Sequence, residues 1–180
     1  MTRQGIGRLA GFTALAVGLS AAVTVAQSNG RRYSATLVPG QENPALATPG
    51  VGTIVLDLDE RAEEVRYVLT FRDLAGVTQA HIHFEKPALN GPIMLWLCKS
   101  ATNPGPTPET TPDCPPPGGT VTGTLTAADV RPIAAQGLAG GDFANAIAQI
   151  RKGLTYANVH TTAFPGGQIR GQIGQGGSRP

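Results

Sequence analysis

The chain has 180 residues, a length that argues for one domain, with 14 Lys and Arg against 12 Asp and Glu. The two excess positive charges are Arg3 and Arg8, so residues 27–180 have a formal charge of zero. No basic stripe is left to drive nucleic-acid binding, and that class of partner is excluded.

The N-terminus reads as a processing signal. Arg3 and Arg8 form a positive segment, the apolar stretch "LAGFTALAVGLSAAVTVA" runs to Ala26, and Thr24-Val25-Ala26 is a small-x-small cleavage site before Gln27. The competing reading, a membrane anchor, meets a stretch barely long enough and rich in Gly, Ala, Ser and Thr. Residues 1–26 are therefore expected to be a Sec-type signal peptide and the mature protein to be secreted or periplasmic, with no membrane span after processing.

Short strands follow. "RRYSATLVPG" is a first strand ended by Pro39-Gly40, and "GQENPALATPG" is a loop. "GTIVLDLD" alternates, with Ile54, Leu56 and Leu58 on one face; "VRYVLTFRDL" does the same with Val65, Tyr67, Leu69 and Phe71. The pair predicts a hairpin hiding one apolar face. The strand "VTQAHIHF" comes next, then "GPIMLWLC", whose Trp96 reads as core. Residues 98–118 are too rich in Pro, Thr and Gly to build a core. Cys98 and Cys114, the only cysteines, flank most of this segment. In an oxidising compartment they predict a disulfide worth roughly 3 kcal/mol in the chain-entropy model. The alternative, a thiolate metal site, finds no histidine near either cysteine in sequence.

After "GGTVTGTLT" the period changes. Thr126 with Asp129 is a helix-cap signal for "TAADVRPIAAQGLA". Asp142 and Gly153 bracket a second helix, "GDFANAIAQIRKG", with Phe143, Ala146, Ile147 and Ile150 on one face. "TYANVHTTAF", the turn "PGG" and "QIRGQI" form a closing hairpin, and residues 175–180 read as a disordered tail. The fold class is all-β: an antiparallel Greek-key β-sandwich or barrel with one or two short helices inserted before the C-terminal hairpin.

The chain has three histidines. In "VTQAHIHF" the apolar face carries Ala80, Ile82 and Phe84, so His81 and His83 look away from the core. The same parity places His160 beside Asn158 and Thr162, and Arg170 beside Gln172, on outward polar faces. One reading is solvated surface histidine. The other is a mononuclear metal site, because His81 and His83 lie on one face and a third imidazole from a neighbouring strand completes a set suited to copper, with zinc second. Glu85 is the acid nearest the pair; it reads as an ordinary turn residue or as a partner orienting a ligand imidazole.

"LVPGQENPALATPGVGTIVLDLD", "DLAGVTQAHIHFEKPALNGPIM", "GTLTAADV" and "YANVHTTAFPGGQIRGQI" resemble the CHRD domain, named after chordin and common in exported bacterial proteins. The resemblance assigns residues 27–174 to that domain. Nothing here resembles the cysteine-rich modules of chordin, so growth-factor binding is not implied. A second resemblance is to copper/zinc superoxide dismutases, Greek-key barrels with a His-x-His strand, a late Val-His pair and a Gly-rich C-terminal strand carrying an arginine. It implies copper ligation by His81, His83 and His160 with Arg170 near the metal. No histidine remains to match the metal-bridging one and the zinc loop has no counterpart, so copper binding carries over further than dismutation does.

No nucleophile elbow, phosphate loop or dinucleotide fingerprint is present in the sequence. The acid pairs Asp57/Asp59 and Glu63/Glu64 lie on an exposed face or turn and read as solvated charge. Two functions remain. One is an exported metal-binding protein using its site for binding or simple redox chemistry, with catalysis the less favoured role. The other is a non-enzymatic extracellular adhesion or interaction module, binding a protein partner without metal. N-terminal sequencing of the exported protein is expected to start near Gln27; an intact N-terminus in the membrane fraction would show an anchor instead.

Overall fold

The computed structural model describes Met1 and residues 31–106, 110–115 and 117–175. The signal-peptide segment and residues 176–180 of the expected tail lie outside the described residues. Among the described residues no helix is long and apolar enough to cross a membrane.

Among the described residues, nine strands form two antiparallel sheets. They are β1 (Arg31–Leu37), β2 (Val51–Asp59), β3 (Glu64–Arg72), β4 (Val77–Phe84), β5 (Ile93–Cys98), β6 (Gly119–Leu125), β7 (Thr155–Thr161), β8 (Ile169–Gln172) and β9 (Gly174–Gln175). One sheet has the order β6-β3-β2-β1-β9 and the other β5-β4-β7-β8. The chain leaves β3, builds β4 and β5 in the second sheet, and returns as β6 beside β3. This Greek-key step makes a sandwich and not a closed barrel.

Alternation works as expected on β2 and β3: Ile54, Leu56, Leu69 and Val65 are fully buried. They face Ala80, Ile82, Leu97, Val159 and Ile169 of the second sheet in one continuous core. Each such aliphatic side chain contributes about 1.5–3 kcal/mol by leaving water. Tyr67 crosses the core and donates its hydroxyl to the Leu97 carbonyl at 2.6 Å, fastening the sheets to each other.

Two local expectations change. No α-helix begins at Thr126. Asp129 does accept from the Thr126 amide at 2.8 Å, but only the 3-10 turns Ala127–Asp129 and Ala134–Gln136 form. Pro132 lacks an amide hydrogen and disfavours a helical Arg131, so the turn cannot propagate. The helix α1 (Phe143–Arg151) forms as expected, with Asp142 accepting from the Asn145 amide at 3.1 Å and Phe143, Ala146, Ile147 and Ile150 buried. Gln175, expected in the tail, belongs to β9, which pairs with Tyr33 and Ser34 of β1.

Cys98 and Cys114 form a disulfide with Cα atoms 5.0 Å apart. It closes the base of the Pro/Thr-rich loop, where Lys99 also holds Asp113 at 2.7 Å. The non-reduced mature protein should show no reactive thiol by mass spectrometry. Cys114→Ser should lower stability by roughly 3 kcal/mol, read as a fall in the denaturant midpoint; an unchanged midpoint would show that the loop constrains nothing.

Candidate metal centre

Strands β4 and β7 are hydrogen-bonded neighbours at the middle of the second sheet. Their register pairs Gln79 with His160, His81 with Asn158, and His83 with Tyr156. On either side, His81 pairs with Trp96 of β5, and Asn158 pairs with Arg170 of β8. Directly paired residues share a face, so one face carries all three histidines together with Trp96, Tyr156, Asn158 and Arg170.

That face is not solvated. His81 is 0%, His83 7% and His160 6% exposed. The histidines lie on the face away from the core as expected, but the reading of them as solvated surface groups is corrected, because the β4–β5 loop and the β7–β8 turn fold over that face. Trp96 is corrected as well. Its register with His81 turns it away from the core, and its indole meets the His81 ring edge-on with ring centroids 4.2 Å apart.

The three histidines offer ligand nitrogens that lie within 4.8 Å of one another. Two of the rings are oriented by backbone carbonyls. His83 Nδ1 lies 2.9 Å from the Gly91 oxygen, and His160 Nδ1 lies 3.0 Å from the Pro165 oxygen. A carbonyl only accepts, so both Nδ1 atoms carry the proton and both Nε2 atoms present a lone pair. His81 Nδ1 stands 3.1 Å from His160 Nε2 and must donate to it in the metal-free state. Two nitrogens on one ion at 2.0–2.1 Å are about 3–3.4 Å apart, so this separation suits shared ligation. His81 Nε2 and His83 Nε2 are buried and bond to no protein atom.

Burial keeps the imidazoles neutral. It lowers the His81 pKa to about 2, with His160 and His83 adding to the effect. It lowers His83 to about 4, against the raising influence of the Gly91 carbonyl. His160 is lowered for the same reason.

Arg170 is 2% exposed and does not point at a ligand nitrogen. Its Cζ lies 3.4 Å from the Tyr156 ring centroid, and His83 stacks on Tyr156 with ring centroids 4.8 Å apart and 4° between planes. β4 and β8 flank β7, so Tyr156 takes His83 on one side and Arg170 on the other. Arg170 also donates to Leu89 O at 2.6 Å and to Asn90 Oδ1 at 3.1 Å, holding the β4–β5 loop over the site. Gly91 donates its amide to the Tyr156 hydroxyl at 3.1 Å. A Cβ at Gly91 would lie 2.3 Å from the Phe84 oxygen, so only glycine lets the loop close this tightly. The Glu85 carboxylate accepts from the Lys86 amide and from Gln136 and is bonded to none of the histidines.

The sequence reading did not single out Glu42, Tyr156 or Asn158. Glu42 Oε1 accepts from Asn158 Nδ2 at 2.6 Å, and burial pushes its pKa up to about 7, against the Asn158 bond and Arg170. Glu42 and Arg170 line a cleft of about 300 Å³ between Asn43 and Ala88. Tyr156 and Asn158 share the parity of His160, a signal present in the sequence; Glu42 lies far from the histidines in sequence and offers none.

The CHRD-domain family model matches residues 33–173. The chain thus belongs to the CHRD family. Neither the curated proteins nor the solved structures compared with it yield a match.

The neutral histidines make the metal-free protein acid-labile. Above about pH 6.5, folded and unfolded chains carry equal protons on them; below it the unfolded chain protonates first, and stability falls by about 1.4 kcal/mol per pH unit per histidine. Glu42 acts oppositely, gaining its proton near 7 when folded and near 4.5 when unfolded, and offsets part of that fall. The urea midpoint of metal-free protein should therefore drop between pH 7 and 5; an unchanged midpoint would contradict the burial of these rings.

Proposed function

We propose that this protein is an exported metal-binding domain that takes one copper ion at His81, His83 and His160, for binding, sequestration or one-electron chemistry. The observation that carries this reading is the convergence of three ligand nitrogens within 4.8 Å, one of them the buried Nε2 of His83, which bonds to no protein atom. A buried polar atom without a partner costs about 1–3 kcal/mol, and an ion bound by His83 Nε2 removes that cost. The carbonyls that hold the other ring nitrogens of His83 and His160 are the usual support of metal-bound histidine. Three neutral imidazoles follow the order in which Cu(II) exceeds Zn(II). The neutral, desolvated setting favours low ionic charge, which Cu(I) also meets and zinc does not. The interaction module without metal leaves the His83 nitrogen unexplained. The signal-like N-terminus and the disulfide support export.

Trp96 is the only tryptophan in the chain and touches His81, so it reports on the site. One equivalent of Cu(II) should quench its fluorescence, and Zn(II) should bind more weakly. His83→Ala should weaken copper binding by more than about 100-fold, whereas Glu85→Ala should change it by less than about 10-fold. Equal copper affinity in wild type and in the single alanine variants of His81, His83 and His160 would sink the proposal.

A further inference from the structure

Trp96 is the one residue on the histidine face that leads from a candidate ligand toward solvent. Its indole packs edge-on against the His81 ring with ring centroids 4.2 Å apart, and it is partly exposed. Over its six-membered ring the disulfide-bounded loop crosses at Gly105, where a Cβ would lie 3.2 Å from Cε3. Gly105 also has φ +71°, so the loop crosses the indole at a residue with no side chain to thicken the cover. His81 itself is fully buried, and an oxidant or reductant of molecular size cannot touch it directly.

We propose that the centre exchanges single electrons with outside redox partners through His81 and Trp96; this rests on the copper reading above. The step is outer-sphere: one electron passes from Cu(I) to a one-electron acceptor, leaving Cu(II) and the reduced acceptor, with no atom or proton transferred. The reverse step uses a one-electron donor. Only ring-to-ring contact lies between the ligand imidazole and the partly exposed indole, which keeps the tunnelling path short. The other aromatic neighbour is a poorer exit. Tyr156 stacks on His83, but the Arg170 guanidinium lies against its ring. A fixed positive charge there opposes removal of an electron from the ring. Its hydroxyl is held by the Gly91 amide beneath the β4–β5 loop.

The test uses copper-loaded full-length mature protein, mixed in stopped flow with ferricyanide for oxidation and hexaammineruthenium(II) for reduction. Trp96→Leu should slow both rates by about 10-fold or more, with Trp96→Phe between it and wild type, while calorimetric copper affinity stays unchanged. Wild-type rates in copper-loaded Trp96→Leu overturn the electron port and leave the copper site standing. Loss of copper affinity in both Trp96 variants assigns the indole to packing and overturns the port as well. No copper binding by the wild type overturns the reading beneath it.

Discussion

A guanidinium 2% exposed must be satisfied where it lies, and Arg170 is satisfied by the segment that covers the histidines. A buried charge without partners costs several kcal/mol. Here Leu89 O, Asn90 Oδ1 and the Tyr156 face supply the compensation. The first two belong to the β4–β5 loop, so the charge on β8 and the closure of that loop depend on each other. His83 and Tyr156 are fixed by the same loop at Gly91. The neutral state of the imidazoles follows from this closure, because desolvation is the largest cause of their lowered pKa values.

The sandwich has two buried layers as a result. One is the apolar core between the sheets. The other is polar, on the far face of β4 and β7, and it is built from side chain to backbone bonds together with side chain to side chain bonds. Such a layer contributes little net stability per bond, about 0.5–1.5 kcal/mol. It does fix rotamers and tautomers, which is what a ligand set requires.

The strands were legible because hydrophobic alternation is a local property: Ile54, Leu56, Val65 and Leu69 announce their own face. The pairing of faces was legible for the same reason, and it brought His81, His83 and His160 to one side. Coverage was not. Whether a polar face is wet depends on what folds over it, and the residues that do so carry no pattern linking them to the histidines. Gly91 and Pro165 act through backbone carbonyls, which every residue possesses. Trp96 was misplaced because β-bulges flank Ile82 in the pairing of β4 with β5, and parity within one strand does not reveal register with the next. The Thr126 helix failed on Pro132, where a cap signal met a residue that cannot extend it.

For the copper centre proposed above, covering the site separates two kinds of traffic. An ion must displace the β4–β5 loop or enter through the cleft beside Glu42 and Arg170, and the loop is tied by Arg170, Tyr156, His83, Asn43 and Gln172. Freeing several such bonds together costs several kcal/mol, so opening belongs to slow, local unfolding. An electron needs no opening at all, because ring contact from His81 to Trp96 persists in the closed state. The closed loop is therefore a barrier to exchange of the ion and no barrier to a change in its charge, which is the combination that a retained one-electron centre needs.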